Sequence, residues 1–362
     1  MKLTVETQKL QDIVAKAAKG ASDNKMIPVT GLMAIVGEDD FLTLITTDAT
    51  NYLYITEQVK GANDFYAVVQ VELFSKLISK ITDKDITLEV FDDVLYVKGN
   101  GVYKIELPLD EEGKPITYPK PNSSINLSEE DANVKHYTID IADIRKVINV
   151  AKSALSTTIE NPCYMGYYIG DNVIATDTYK ICGIDIKLFD EPVLMSAELM
   201  DLIDLCSSDF VNVYIKDLDI VIDTNNISIV GKLMDNISDY AVDAITSLLD
   251  SKFESFCTVN KGSLVQLLDR LSLFVGVYDK NEVTLTFSAT ALTLTSKQIN
   301  STESISYLSS VNPKPFKCAI NILMLQSQVK ANSGEVIEIG YGLDNAIKLS
   351  DDNVTQILAL QE

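Results

Sequence analysis

The residues of this chain that could perform catalysis are few and widely separated. His136 is the sole histidine among 362 residues. The cysteines occur singly, without a CxxC pair and in an odd total: Cys163, Cys182, Cys206, Cys257 and Cys318. A nucleophilic triad needs a base beside the nucleophile, and a zinc site or disulfide framework needs closely matched cysteines or histidines. The sequence favours none of these, and we expect reduced cysteines within a core.

Paired carboxylates could act as an acid and a base or hold a metal. Three adjacent pairs lie between runs of alternating apolar residues: Asp39–Asp40, Asp92–Asp93 and Asp351–Asp352. Aspartate often satisfies backbone donors in turns, so these pairs are predicted to be turn residues. The chain also lacks GxxxxGK[ST], GxGxxG and HExxH segments. Catalysis is not supported, no metal or cofactor is expected, and His136 is predicted to be an exposed residue at the start of a strand.

The elements that would position functional groups repeat along the chain. Apolar residues recur at i, i+3, i+4 and i+7, the spacing of one helical face, in three segments that begin 134 and then 120 residues apart. They are Leu10, Ile13, Val14, Ala17; Ile144, Val147, Ile148, Ala151; and Leu264, Leu267, Leu268, Leu271. A second set lies between and after them: Phe74, Leu77, Ile78, Ile81; Leu199, Leu202, Ile203, Cys206; and, more weakly, Ile322, Leu325, Gln326, Val329.

This pattern predicts three copies of one α+β domain, each with two helices and two small antiparallel sheets. A polar linker with three prolines, from Asp110 to Lys135, separates the first copy from the second, and a shorter stretch around Asp243 to Lys252 separates the second from the third. The predicted domains are residues 1–126, 127–250 and 251–362. Three equal copies without a catalytic centre favour a structural or binding role.

Composition limits the class of protein. Hydrophobic residues make up 46% of the chain, yet no window approaches the roughly 18 uninterrupted apolar residues that a membrane helix needs. The first ten residues lack the apolar core of a signal peptide. We therefore expect a soluble, cytoplasmic protein with no membrane partner. The net charge of −22 on average repels nucleic acid, and most of it is expected to form a solvated surface.

The polar faces of the repeated helices nevertheless carry basic residues in this acidic chain. They are Lys9, Lys16 and Lys19; Arg145 and Lys152; Lys76 and Lys80; and Lys261, Arg270 and Lys330. A lysine-lined helix face is commonly only a solvated surface, but recurrence on equivalent helices favours contact with nucleic acid. One helix differs, because Glu198, Asp201 and Asp204 make its polar face acidic.

Several segments resemble one known family over the whole chain. They are MKLTVETQKL, IPVTGLM, NVIATDTYKICGIDI and KLMDNISDY. The family is the bacterial DNA polymerase III β subunit, the sliding clamp. The resemblance implies a non-catalytic, head-to-tail homodimer that closes into a six-domain ring, with twelve helices lining a hole around double-stranded DNA. Phosphate contacts would then be independent of sequence. Asn24 and Lys25 fall where the family contacts DNA.

The resemblance also implies partners and their contacts. The DNA polymerase III α subunit, the clamp loader and other clamp-binding-motif proteins would insert a peptide into a pocket between the second and third domains. That pocket would contain Tyr164, Thr176, Thr178, Tyr179, Lys180, Ile181, Ser238, Asp239, Tyr240, Val242, Asn321, Met324, Ala346, Leu358 and Leu360. The chain departs from the usual family residues at Tyr164, Ser238, Val242 and the C-terminal Leu-Ala-Leu-Gln-Glu. The dimer contact would involve Tyr103, Phe274 and Val275.

Other interpretations stay open at this point. Ile181, Leu358 and Leu360 could simply close a domain core, and Phe274 and Val275 could be ordinary core residues. For function, the alternatives to a processivity factor are a scaffold of repeated domains that binds only proteins, and a divergent enzyme that uses a cysteine, a carboxylate or His136.

Overall fold

The computed structural model describes residues 1–297 and 300–361. Seven α-helices occur in this part of the chain: α1 (Thr7–Ala17), α2 (Val71–Ile78), α3 (Ile141–Ala151), α4 (Ala197–Ile203), α5 (Val242–Leu249), α6 (Lys261–Leu271) and α7 (Ile322–Ala331). The longest of them have 11 residues, and none in the described ranges is long and apolar enough to cross a membrane.

Strands make up most of the remaining regular structure. Those before residue 200 are β1 (Lys2–Glu6), β2 (Leu32–Glu38), β3 (Phe41–Thr47), β4 (Tyr52–Gln58), β5 (Phe65–Gln70), β6 (Asp85–Phe91), β7 (Val94–Lys98), β8 (Val102–Glu106), β9 (Lys135–Asp140), β10 (Gly166–Ile169), β11 (Val173–Thr176), β12 (Lys180–Ile184) and β13 (Val193–Ser196). Those after it are β14 (Phe210–Lys216), β15 (Asp219–Asp223), β16 (Ile227–Lys232), β17 (Ser255–Asn260), β18 (Glu282–Phe287), β19 (Ala291–Ser296), β20 (Thr302–Ser306), β21 (Ser309–Val311), β22 (Phe316–Asn321), β23 (Val336–Tyr341), β24 (Ala346–Asp351) and β25 (Val354–Ala359).

The chain divides into two compact units. One comprises Met1–Ala142 and Glu198–Leu233, and the other comprises Asp143–Ala197 and Met234–Glu362. The first unit contains a four-stranded sheet, β1-β6-β7-β8, and an eight-stranded sheet, β5-β2-β3-β4-β16-β15-β14-β9. The second contains a nine-stranded sheet, β13-β10-β11-β12-β25-β24-β23-β17-β21, and a four-stranded sheet, β20-β19-β18-β22. The middle third of the chain contributes strands to both units.

The two large sheets each consist of two smaller sheets joined edge to edge: four and four strands in the first unit, and four and five strands in the second. In the first unit β4 pairs with β16, with Tyr52 opposite Val230. In the second unit β12 pairs with β25, with Lys180 opposite Leu358. The strand pairs in the described part of the chain are antiparallel. The prediction of an α+β fold with antiparallel sheets is confirmed, and the joins show that sheets from successive copies merge.

The apolar helix faces predicted from the sequence are buried. On α1, Leu10, Ile13, Val14 and Ala17 are at most 3% exposed, and the equivalent residues of α3 and α6 are also buried. On α7 the weak position, Gln326, is half-buried and donates a hydrogen bond to Asp269. Burial of four such side chains supplies a large part of the free energy that holds each helix on its sheet.

The predicted linkers are more structured than the sequence suggested. The stretch assigned around Asp243 to Lys252 was wrong as a linker, because Val242–Leu249 forms α5 and buries Ile245 and Leu249. In the proline-containing segment, Tyr118 is 6% exposed, and its hydroxyl donates to the carbonyl of Leu32. Both segments therefore pack against sheets. The domain limits of 1–126, 127–250 and 251–362 stay predictions.

Candidate DNA and partner-binding sites

Three of the helices that carry basic residues share one local structure. The helices α1, α3 and α6 each follow directly on a strand, have 11 residues, and continue into a three-residue 3₁₀ turn. The 3₁₀ turns are Ala18–Gly20, Lys152–Ala154 and Ser272–Phe274. The same strand, helix and turn therefore occur three times, as the spacing of the apolar residues predicted.

The basic residues of α1 and its turn differ in their surroundings. The Lys9 ammonium lies 2.6 Å from the Glu57 carboxylate and donates to the carbonyl of Gln58. Lys16 pairs with Asp12 one turn away at 3.0 Å. Lys19 is exposed. These are surface ion pairs, each contributing at most about 1 kcal/mol, so phosphate oxygens could replace the carboxylates at low cost.

The other candidate cations of the helices are mostly exposed. Lys76 pairs with Glu72 at 2.6 Å, and Lys330 pairs with Asp269 at 2.8 Å. Arg270 pairs with Glu303, and the Lys261 ammonium donates to the carbonyl of Asn332. Arg145, Lys152 and Lys80 are also exposed. The side chain of Lys261, held by a backbone carbonyl and half-buried, is the least available of them for phosphate.

The loop after α1 presents the two residues that the family resemblance assigned to DNA. Asn24 accepts a hydrogen bond from the amide of Met26 at 3.0 Å through its side chain, and its carbonyl accepts from Ile27. Asn24 thereby stabilises the turn that exposes Lys25. Lys25 and Lys80 are both exposed.

The predicted acidic face lines a cavity of about 570 Å³ in the first unit. Its lining includes Glu198, Asp201 and Asp204 together with Lys19 and Asp48. The Asp48 carboxylate also accepts from the amides of Thr50 and Asn51, which fixes its position. Lys19 therefore lies near carboxylates, and this part of the surface attracts phosphate less than the α1 face does.

The turn between β11 and β12 forms the first wall predicted for the peptide pocket. Its side chains hold it rigidly: the Thr176 hydroxyl donates to the carbonyl of Lys180 at 2.7 Å, and Asp177 accepts from the amides of Tyr179 and Lys180. Thr178 adopts a φ of +77°, which a β-branched residue rarely does. Tyr179 is 63% exposed, so this fixed turn presents an aromatic ring to solvent.

The C-terminal strand lies directly beside that turn. The amide of Ala359 donates to the carbonyl of Tyr179 at 2.9 Å, and Ala346 lies opposite Ala359 on the neighbouring strand. Leu358 is 1% exposed and belongs to the core around α6 and α7, while Leu360 is half-buried against the same core. Leu358 therefore closes a core, and Leu360 lies nearer the surface.

An aromatic cluster surrounds Tyr240, one of the residues predicted for the second wall of the pocket. Tyr240 is 4% exposed, meets the ring of Tyr164 edge-on at 5.0 Å, and lies 5.4 Å from the ring of Tyr168. Its hydroxyl donates to the carbonyl of Ile174. Ile181 and Ala346 belong to the same apolar cluster, with Val242 packed against it. The structure thus brings together residues from four separate parts of the sequence.

Ser238 and Asp239 lie on the 3₁₀ turn Ile237–Asp239 immediately before Tyr240, and both are exposed. Sequence reasoning missed Tyr168, which packs on Tyr240, and the helix α5 that follows Val242. Alternation along β10 predicts that Tyr167 and Tyr168 point to opposite faces of the sheet. Because both residues are tyrosines, the sequence did not show which of them is buried. The apolar spacing of Val242, Ile245 and Leu249 was the signal for α5.

Asn321 begins α7 and is predicted to contact the partner peptide. Its side chain accepts from the amides of Leu323 and Met324 and donates to the carbonyl of Lys280. It is therefore the N-cap of the helix that carries Met324, which is half-buried against the core.

Replacing Asn321 with alanine is expected to lower the free energy of unfolding by about 1 kcal/mol, because two amides at the helix start lose their acceptor. Chemical denaturation measures this change. The matched control is Asn260→Ala, which removes the N-cap of α6. Both variants should lose similar stability, but only the Asn321 variant should bind partner peptides less well. Equal peptide binding by the two variants would argue against a pocket at Asn321.

The residues predicted for the dimer contact lie on two elements. Tyr103 is 39% exposed on β8, at the edge of a four-stranded sheet. Phe274 is 41% exposed in the 3₁₀ turn after α6, and Leu273 beside it is 78% exposed. Val275 instead packs against the core and is half-buried. Exposed apolar side chains next to a sheet edge are typical of a protein interface.

The groups considered for catalysis are poorly suited to it. Burial, followed by the nearby Asp239 carboxylate, raises the pKa of the Cys163 thiol, which keeps it protonated and weakly nucleophilic. His136 is exposed at the start of β9 and stacks on Tyr214 with ring centroids 4.6 Å apart. Asp39, Asp40, Asp92, Asp93 and Asp352 lie in turns with positive φ angles, as predicted. Asp351 instead ends strand β24, so the turn prediction is wrong for that residue.

Comparison with known proteins shows a family match for the first part of the chain and structural matches for the whole of it. Residues 1–113 match the family model described as the N-terminal domain of the DNA polymerase III β subunit. The whole chain matches the sliding clamp of Bacillus subtilis with a TM-score of 0.82 at 18% identity, covering 99% of that chain. It matches the β subunit of Borrelia burgdorferi, in a structure with a natural product, with a TM-score of 0.84 at 18% identity, covering 98%.

A third structure, the β subunit of Thermotoga maritima, matches with a TM-score of 0.83 at 16% identity and 99% coverage. All three matches cover 100% of this chain. No curated protein sequence matches it. The resemblance noted from the sequence is confirmed, and the chain has the fold of the bacterial sliding clamps over its full length.

Proposed function

We propose that this chain, which has the fold of the bacterial sliding clamps, is a sliding clamp that encircles duplex DNA and tethers a replicative polymerase. The observation that carries the proposal is that one strand, helix and 3₁₀ turn occur three times along the chain. In every copy the helix buries its apolar face, and basic residues lie on the helix or on the turn that follows it. The protein itself catalyses no reaction and acts in the cytoplasm. Its three domains correspond to residues 1–126, 127–250 and 251–362.

The sheet joins support a head-to-tail dimer. The strand β4 of the first copy pairs with β16 of the second, and β12 of the second copy pairs with β25 of the third. In both joins, a strand that follows the first helix of one copy pairs with the last strand of the next copy. By the same repeat, β20 corresponds to β4 and β12, while β8 corresponds to β16 and β25. Both β8 and β20 are sheet edges in the chain. Pairing β8 of one copy with β20 of another continues the pattern, and two such contacts close a ring.

The DNA contacts are proposed to be phosphate contacts from the repeated helices and the Lys25 loop. Lysine side chains in exposed ion pairs can exchange carboxylate for phosphate without large cost. Such contacts carry no sequence information, which suits a ring that slides. The remaining acidic surface repels DNA, so the phosphates are attracted mainly to the basic faces of the helices.

The turn at Thr176–Ile181, the Tyr240 cluster and the C-terminal strand are proposed to form the docking site for partner peptides. The support is that a fixed turn, an aromatic cluster and the start of α7 meet in one unit. The polymerase α subunit, the clamp loader and other clamp-binding proteins are the expected partners.

Retention on DNA tests the central proposal. After loading onto a nicked circular plasmid by a bacterial clamp loader, we expect the protein to elute with the circle during gel filtration in 0.5 M salt. Cutting the plasmid once should release it, because a ring slides off a free end. Binding that survives linearisation would indicate ordinary surface binding, and no binding to the circle would favour a scaffold that contacts only proteins.

A further inference from the structure

The aromatic cluster of the proposed pocket is surrounded by carboxylates. Asp239 precedes Tyr240 directly and is exposed. Asp243 is exposed in the first turn of α5, next to Val242 of the cluster. Asp171 follows the strand that carries Tyr168, and its side chain is fully exposed. Three negative charges therefore border one apolar surface.

These carboxylates also act on ionisable groups of the cluster. Burial, followed by the Asp171 and Asp243 carboxylates, raises the pKa of Tyr168. The pKa of Cys163 is raised by burial and then by Asp239. Cys163 and Tyr168 both belong to the apolar cluster around Tyr240.

The cations that contact this part of the described chain are already held by other groups. The Lys180 ammonium lies 3.2 Å from the Asp177 carboxylate, and its side chain is only 13% exposed. The Lys348 ammonium donates to the carbonyl of Leu249. Lys187 reaches Asp171 at 3.4 Å with both side chains well exposed, which is a weak interaction in water. Lys280 lies at the other end of the site, beside Asn321.

We propose that this pocket selects partner peptides whose apolar anchor is flanked by lysine or arginine. The inference rests on the proposed peptide-binding role and specifies the chemistry of the partner. A basic side chain beside the anchor gains attraction from Asp239 and Asp243. An acidic flank would face like charge.

Two fluorescent peptides with the same Leu-Leu-Phe core test this preference, one flanked by three lysines and the other by three glutamates. Fluorescence anisotropy in 50 mM salt should show the lysine peptide binding about 10-fold more tightly. In 0.5 M salt the ratio should fall below about 3-fold, since screening weakens exposed charges. Asp239→Asn combined with Asp243→Asn should reduce the ratio in low salt to about 3-fold.

The matched control is Glu335→Gln combined with Asp352→Asn, which removes two exposed carboxylates from turns outside the cluster. This control should keep the 10-fold ratio. If both peptides bind equally, the charge preference is wrong while the pocket stands. If neither peptide binds, the peptide-binding role itself is overturned. If the control loses the ratio as the pocket variant does, the preference reflects net charge and not this site.

Discussion

Replacing Leu273 and Phe274 with aspartate is expected to convert the proposed dimer into monomers and to abolish retention on circular DNA. Both side chains are exposed in the chain, and they follow Arg270, which pairs with Glu303 on the edge strand β20. In the proposed dimer the two new aspartate carboxylates would be buried at that edge, and removing their charges from water would oppose association. Truncation of an interface anchor commonly costs 2 kcal/mol or more, so the dimer Kd should rise at least about 30-fold per residue.

Analytical ultracentrifugation at micromolar concentration measures the dimer, and plasmid retention measures the ring. The control is Phe210→Asp with Leu218→Asp, which places the same charges at exposed positions 57% and 45% accessible on another part of the chain. The control should remain dimeric. A dimer that persists with aspartate at 273 and 274 would show that β20 and its neighbours are not the contact.

Replacing Tyr240 with alanine is expected to abolish binding of partner peptides. The Tyr240 ring contacts both Tyr164 and Tyr168 at the centre of the cluster. Its loss leaves a cavity there and removes part of one wall of the proposed pocket. We expect at least about a 30-fold loss of peptide affinity. The free energy of unfolding should also fall by about 3–5 kcal/mol, as for other large-to-small core changes.

Tyr240→Phe is the matched control, because it keeps the ring and removes only the hydroxyl that donates to the carbonyl of Ile174. It should lose about 1 kcal/mol of stability and bind peptide within about 3-fold of the natural protein. Tyr164→Ala removes a half-buried ring from the same cluster with less effect on folding. Normal peptide affinity in both alanine variants would place the pocket elsewhere.

The helices were the part of the fold most open to prediction. The apolar residues at Leu10, Ile144 and Leu264 begin faces with a period that only a helix satisfies, and burial of those faces is a local property of each segment. Aspartate pairs in turns were equally local. Such features depend on neighbours in sequence, and the structure agrees with them except at Asp351, which ends a strand.

The joins between sheets could not be predicted in this way. The pairing of Tyr52 with Val230, or of Lys180 with Leu358, connects residues more than 150 positions apart. Alternation of polar and apolar residues marks a strand but does not identify its partner. For the pocket, the assigned residues came from the family resemblance, and only the structure showed that Tyr168 and α5 lie beside them.

The number of joins per chain has a consequence for how the proposed ring opens. A ring of two chains has six sheet joins, of which four lie within a chain and are fixed by strand pairing in its units. Only the two joins between chains can separate without unfolding either copy. Opening therefore requires one interface between chains to separate while the other acts as a hinge. A loading factor can open the proposed ring at either of these two equivalent interfaces, but not at the four joins within the chains.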